Sequence, residues 1–168
     1  MTGVQTCALP IYLLEKIIRS FKIHKHNFHV DIVITKFYKN TKKIIELVKN
    51  DNRFTVIQNQ NNLIPLMQRA KLGIFTFGVT AYESFYCGLV SMTISHSKEN
   101  DRAAKKMLPH HCMHYLGYYE NVDFMNIVKI ASTLSNDHKL MNELSANGKN
   151  LVDGGGVRRV ALVIRRIV

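Results

Sequence analysis

The residues best suited to chemistry lie within Leu72–Ser95, LGIFTFGVTAYESFYCGLVSMTIS. The segment reads as a buried strand, a turn at Gly78-Val79-Thr80, a short helix, Gly88 and a second buried strand, with Glu83 one helical turn after Val79. A helix that opens directly off a buried parallel strand leaves its first N–H groups unpaired, and such groups bind phosphate. A carboxylate on the first turn accepts hydrogen bonds from two sugar hydroxyls. The pattern therefore suits a nucleotide sugar, with its diphosphate on the helix end and its ribose on Glu83. An ordinary βαβ unit carrying a surface glutamate has the same spacing, so spacing alone leaves both readings open.

Positioning that turn requires a regular framework, and the rest of the chain supplies one. Apolar residues at 13, 14, 17, 18 and 21 predict an amphipathic helix over Tyr12–Phe21. Residues 29–35 predict a strand with Val30, Ile32 and Ile34 on one face; a helix over Thr41–Asn50 and a strand over Phe54–Gln58 follow. The polar stretch Asn59–Asn62 precedes a helix over Leu63–Arg69 and offers an asparagine cap for it. Strand Leu72–Thr76, helix Thr80–Tyr86 and strand Val90–Ser95 come next, then a helix over Asn100–Met107 and a short strand over Cys112–Leu116. Helices over Val122–Leu134 and His138–Asn147 lead to a break at Asp153-Gly154-Gly155-Gly156 and a closing helix from Val157. Strands alternating with helices call for a parallel sheet covered on both faces. The predicted class is α/β, a Rossmann-like doubly wound parallel sheet.

Composition narrows the partners. The 168 residues suit one domain with a sizeable core, and 46% hydrophobic content excludes a disordered chain. Twenty-three Lys and Arg against twelve Asp and Glu give a formal charge of +11, which favours anionic partners such as nucleotide phosphates or an anionic membrane face. The charge is dispersed: Lys42-Lys43, Lys105-Lys106 and Arg158-Arg159 read as solvated helix faces, without interleaved aromatic residues, so no nucleic-acid partner is expected. Cys7, Cys87 and Cys112 show no CxxC spacing, and their odd count argues against a disulfide framework and for a reducing cytoplasm. On a strand beginning at Cys112, residues His110, Cys112 and His114 would share one face, but no fourth ligand is evident and no metal is expected. No cofactor is expected either.

Residues 1–11, MTGVQTCALPI, show neither helical nor strand periodicity and lack the basic start of a signal peptide. The string resembles a translated library adapter of the kind found in assembled environmental sequence. It is read as a non-native extension, leaving residues 12–168 as the native domain and Cys7 without functional weight.

Three stretches of that native part resemble one group of enzymes. NNLIPLMQRAKLGIFTFGVTAYESFYCGLVSMTIS, from Asn61, is similar to the nucleotide-sugar core motif of GT-B enzymes. HSKENDRAAKKM, from His96, is similar to their loop and helix in which an Asn-Gln pair faces the sugar diphosphate. YLG at 115–117 with LVDGGGVRRV at 151–160 resembles the tail of the subgroup that includes the UDP-sugar hydrolase of pseudaminic acid synthesis. The lipid II-forming N-acetylglucosaminyltransferase is a more distant relative of that group. The resemblance implies the C-terminal, donor-binding half of a GT-B fold, with a UDP-sugar as ligand. It implies Glu83 on the ribose hydroxyls; Gly78, Val79 and Thr80 on the diphosphate; Asn61, Asn62 and Leu63 bordering the uracil; and Asn100 and Asp101 near the distal phosphate or sugar. Asn61 or Asn62 serves equally as a helix cap, as does Thr80 for its own helix, and Tyr82 and Phe85 read as core.

Four positions depart from the pattern. Phe77 stands where the group has its first glycine, Lys71 replaces an aspartate, Val90 a proline and Asp101 a glutamine. Phe77 is expected to narrow the approach of a diphosphate, and Asp101 to repel it unless Lys98 or Arg102 compensates. The general base of the hydrolase subgroup resembles a histidine in an N-terminal G-x-G-H loop. This sequence holds no such loop, and His24, His26 and His29 lie in a lysine-rich connection. No catalytic residue is therefore assigned. The expectation is the binding half of a hydrolase or glycosyltransferase, inactive without its N-terminal domain, or else a non-catalytic nucleotide-sugar-binding or scaffold protein.

Overall fold

The computed structural model describes residues 2–6, 9–34, 38 and 41–167. Six parallel strands form one sheet: β1 (Thr2–Thr6), β2 (Phe28–Ile34), β3 (Phe54–Gln58), β4 (Leu72–Thr76), β5 (Val90–Ser95) and β6 (His114–Tyr118). Their order is β3-β2-β1-β4-β5-β6. The chain thus winds outward in one direction from β1, returns, and winds outward in the other from β4. Such an order creates a switch point between β1 and β4, where the crevice beyond the carboxyl ends of the strands receives ligands.

The helices are α1 (Ile11–Ile23), α2 (Thr41–Val48), α3 (Ile64–Arg69), α4 (Val79–Cys87), α5 (Lys98–Met107), α6 (Ile127–Asn136), α7 (His138–Leu151) and α8 (Gly156–Ile167). Strand alternation divides the core. Leu72 and Ile74 of β4, with Val90, Met92 and Ile94 of β5, join α1, α2, α6 and α7 on one face. Phe75, Phe77 and Val33 join α3, α4 and α5 on the other. Every residue of β4 and β5 is buried, as a strand covered on both faces must be.

The structure departs from the sequence reading at the N-terminus. The stretch expected to lack strand structure contains β1, which pairs in parallel with both β2 and β4 through Val4↔Val30 and Val4↔Leu72. Val4 is 1% exposed. A five-residue strand between two neighbours takes its place from the ladder rather than from an alternating face, so periodicity could not reveal it. Residues 1, 7 and 8 of that stretch, Cys7 among them, lie outside the described residues.

Later boundaries move for local reasons. Helix α5 begins two residues early because Ser97 caps it, accepting the Asn100 N–H at 3.2 Å. Asp123 accepts the Met125 N–H at 3.0 Å and starts a 3-10 turn, which delays α6 to Ile127. A 3-10 turn over Leu108–His110 and a left-handed His111 postpone β6 to His114. His110 and Cys112 therefore precede the strand, and the shared face expected for His110, Cys112 and His114 does not form. Helix α8 buries none of its residues: Val157, Val160, Val163, Ile164 and Ile167 are all exposed, across the helix from Arg158, Arg159, Arg165 and Arg166. Among the described residues, no helix is long and apolar enough to cross a membrane.

Candidate functional site

The turn singled out in the sequence lies at the carboxyl end of β4. Gly78 is the residue before α4, with an extended backbone (φ 169°, ψ −156°), and no side chain caps the helix end. The N–H groups of Val79 and Thr80 belong to the first turn, whose donors have no acceptor within the helix. The Ala81 N–H turns back to the Gly78 carbonyl at 3.0 Å. A Cβ built on Gly78 would meet no atom within 4 Å, so the space before the helix is open. Val79, at 75% exposure, projects into it.

Phe77 does not close this space. Its ring is 3% exposed and packs into the core, 5.9 Å centroid to centroid from Tyr82. The expectation that Phe77 narrows the approach is corrected, because the side chain leaves the turn on the core side. Helix α4 is anchored by the burial of Ala81, Ser84 and Phe85, and Ser84 Oγ meets Ser91 Oγ of β5 at 2.6 Å. Gly88, in the left-handed region at φ 72°, ends the helix.

Beside α4 lies a cavity of about 450 Å³. Its walls are Gln60, Asn61, Asn62, Leu63, Ile64 and Met67 from the loop and start of α3; Val79, Tyr82, Glu83 and Tyr86 from α4; and Val152 and Gly154 from the loop before α8. Five predicted residues, Asn61, Asn62, Leu63, Val79 and Glu83, line this one cavity, while Gly78 and Thr80 flank Val79 on the open turn. Glu83 is exposed, and among the described residues its carboxylate has neither a hydrogen bond nor an ion pair. Asn62 Oδ1 accepts the Ile64 N–H at 3.0 Å, a side-chain turn just ahead of α3, whose N-cap is Leu63, while Asn62 lines the cavity.

Asn100 and Asp101 stand apart from the cavity lining. Asn100 Nδ2 donates to the Phe77 carbonyl at 3.0 Å, behind the turn. Asp101 accepts from Lys105 Nζ at 2.7 Å and from the Tyr115 hydroxyl. Those two donors hold its carboxyl below the usual range, Lys105 first, and burial with Asp101 nearby pushes Tyr115 up to about 12. The compensation expected from Lys98 or Arg102 comes instead from Lys105; Arg102 pairs with Glu99 at 3.4 Å.

Sequence reasoning left seven of the lining residues unassigned, Tyr82, Tyr86 and Gly154 among them. Tyr82 was expected in the core but is 41% exposed and lines the cavity, whereas Phe85 is buried at 1% as expected. Tyr86 and Gly154 form a contact pair: at φ 72° Gly154 brings its backbone against the ring, where an added Cβ would lie 2.8 Å from Tyr86 Cε2. The loop is clamped by Asp153, which accepts from Arg159 Nη1 and Nη2 at 2.6 and 3.0 Å and from the Gly155 N–H at 2.9 Å. Arg159 and that amide push the Asp153 carboxyl down to about 2. The Asp-Gly-Gly-Gly signal was visible as a break in the sequence; its fold back onto α4 was not.

Other reactive groups point elsewhere. His24, His26 and His29 lie before or at the start of β2, at the opposite end of the strands from the α4 turn. His26 Nε2 meets the Phe21 carbonyl at 2.8 Å, and burial lowers its pKa. Burial pushes both the Cys87 and Cys112 thiols up, away from nucleophilic thiolates. A second cavity of about 260 Å³ between β6, α6 and α7, lined by His114, Lys129 and Asp137 among others, contains none of the predicted residues. Among the described residues, no group of three His, Cys, Asp or Glu could hold a metal ion.

This sheet order and these flanking helices are those of one Rossmann-like half of a GT-B glycosyltransferase fold. The MurG structure from Acinetobacter baumannii superposes with a TM-score of 0.80 at 13% identity, over 98% of this chain and 49% of that one. Anabaena Alr3699/HepE, solved in complex with UDP-glucose, gives 0.71 at 15% identity, over 89% and 43%. WaaG, a glycosyltransferase involved in lipopolysaccharide biosynthesis, gives 0.70 at 13% identity, over 91% and 43%. In sequence, the chain is 24% identical over 118 residues to the spore coat polysaccharide biosynthesis protein SpsG of Bacillus subtilis (strain 168), covering 70% of this chain and 35% of SpsG. The chain thus spans about a third of that curated relative and less than half of each of these solved structures. No protein-family profile matches it.

Proposed function

We propose that this chain is the nucleotide-binding half of an enzyme that uses a UDP-sugar. The observation that carries the reading is the cavity joining the unpaired Glu83 carboxylate to the 61–63 loop, with the uncapped start of α4 at its edge. In this arrangement the base lies against Asn61, Asn62 and Leu63, the ribose hydroxyls donate to Glu83, and the diphosphate accepts from the first amides of α4. The complex of HepE with UDP-glucose, which shares the fold, supports the ligand class.

The finer reading is a UDP-sugar hydrolase of surface-glycan or nonulosonic acid synthesis. Its support is the tail motif at 151–160, whose Val152 and Gly154 form a cavity wall; the similarity to SpsG, a spore coat polysaccharide biosynthesis protein, bears on the surface-glycan part alone. In such an enzyme a base from outside this half would activate water, and the α4 amides would stabilise the departing UDP. The second reading, the donor-binding half of a glycosyltransferase, is favoured by the likeness to MurG and WaaG. An acceptor hydroxyl then replaces water, with the same role for this half. A non-catalytic nucleotide-sugar-binding protein would keep the same pocket without turnover.

Backbone amide shifts on adding UDP test the placement. The reading expects them to cluster at Leu63, Val79, Thr80, Glu83 and Gly154. A cluster around His114 and Lys129 would move the site to the other cavity and overturn the proposal.

A further inference from the structure

The strongest unassigned feature is the brace behind the α4 turn. Asn100 sits in the first turn of α5, and its side chain is fixed at both ends. Ser97 Oγ donates to Asn100 Oδ1 at 2.9 Å, and Asn100 Nδ2 donates to the Phe77 carbonyl at 3.0 Å. The carbonyl can only accept, which places the NH2 group rather than the oxygen toward Phe77. On its other side Phe77 is held too: its N–H donates to the Ile94 carbonyl of β5 at 3.0 Å, and its ring is locked in the core.

A trans peptide is planar, with its C=O and N–H antiparallel. Fixing the Phe77 carbonyl therefore fixes the direction of the Gly78 N–H and the entry into α4. Among the described residues no side chain caps this helix end, and the space before Gly78 is open. We infer that Asn100 is a positioning residue: it holds the Phe77–Gly78 peptide so that the amides of Gly78, Val79 and Thr80 converge on a phosphate group, and it does not touch the ligand itself. This assignment rests on the proposed nucleotide pocket and replaces the sequence expectation of direct contact. It also explains how a phenylalanine is accommodated before the turn: the backbone is set by Asn100 while the ring is spent on the core.

The test pairs a ligand-free and a ligand-bound readout on the whole chain carrying Asn100→Ala, with Asn100→Ser as a smaller change. Without ligand, the Gly78 and Val79 amide resonances should move, whereas a residue that only contacts ligand would leave them in place. With ligand, affinity for UDP should fall about tenfold, as for loss of one well-oriented hydrogen-bonding group, while uridine, which lacks the phosphates, changes less than about twofold. Unmoved Gly78 and Val79 resonances would overturn the inference, as would equal losses for UDP and uridine. Failure of the unaltered chain to bind either compound would overturn the nucleotide reading itself, a result separable from the effect of Asn100.

Discussion

Two exposed carboxylates near the cavity behave in opposite ways. Among the described residues Glu83 has no hydrogen bond or ion pair, while Asp153 is held by Arg159 and the Gly155 amide. An unpaired carboxylate on a cavity wall is available to a ligand; a doubly held one organises the loop. Because Asp153 is depressed to about 2, its clamp is complete above its unperturbed value of 3.8 and is lost as pH falls through about 2. A carboxyl carbon titration should show that midpoint, and Arg159→Ala should return it toward the ordinary carboxylate range. A midpoint unchanged by Arg159→Ala would remove the clamp from the account. At this scale the sequence was most informative where a residue's role is local. The α4 turn could be recognised from spacing, whereas spacing alone did not separate a ligand-binding Glu83 from a surface glutamate. Nor could Tyr82 be recognised as a wall: every third or fourth residue of a short helix looks like core until the neighbouring loop is known.

Two glycines separate conformation from space at the level of elements. Gly78 has an extended backbone and open surroundings, so Gly78→Ala should change stability by less than about 0.5 kcal/mol yet weaken UDP binding, because the methyl stands before the helix amides. Gly154 has φ 72° and abuts Tyr86, so Gly154→Ala should cost roughly 1–2 kcal/mol locally and loosen the cavity wall. Urea unfolding and UDP titration of both variants would check the pair; a destabilised Gly78→Ala with normal binding would contradict it. Strands β3, β4 and β5 were readable to the residue because apolar runs and turn residues bound them on both sides. Helix α5 was misplaced at its start because Ser97 caps it, and α6 because Asp123 caps a 3-10 turn ahead of it; apolar spacing registers neither. The first strand of the sheet and the return of the Asp-Gly-Gly-Gly loop were illegible for a common reason. Both are fixed by what they lie against.

Across the whole molecule, β1 is the element on which the switch point depends, since it joins β2 to β4. A chain beginning at Tyr12 should therefore lose its cooperative thermal transition, and Val4→Asp, which buries an unpaired charge, should cost at least about 3 kcal/mol. Undiminished stability in both would mean that residues 1–11 contribute nothing to the fold, as their lack of periodicity and adapter-like sequence suggested. The central claim is that the crevice beyond this sheet holds a uridine nucleotide through Glu83 and the start of α4. Calorimetric titration of the chain with UDP, with ADP as control, addresses it most directly. The account predicts binding of UDP in preference to ADP, weakened about 10- to 100-fold in Glu83→Ala by the loss of charged hydrogen bonds of ~1.5–3 kcal/mol. Equal binding of the two nucleotides, or UDP binding indifferent to Glu83, would contradict it.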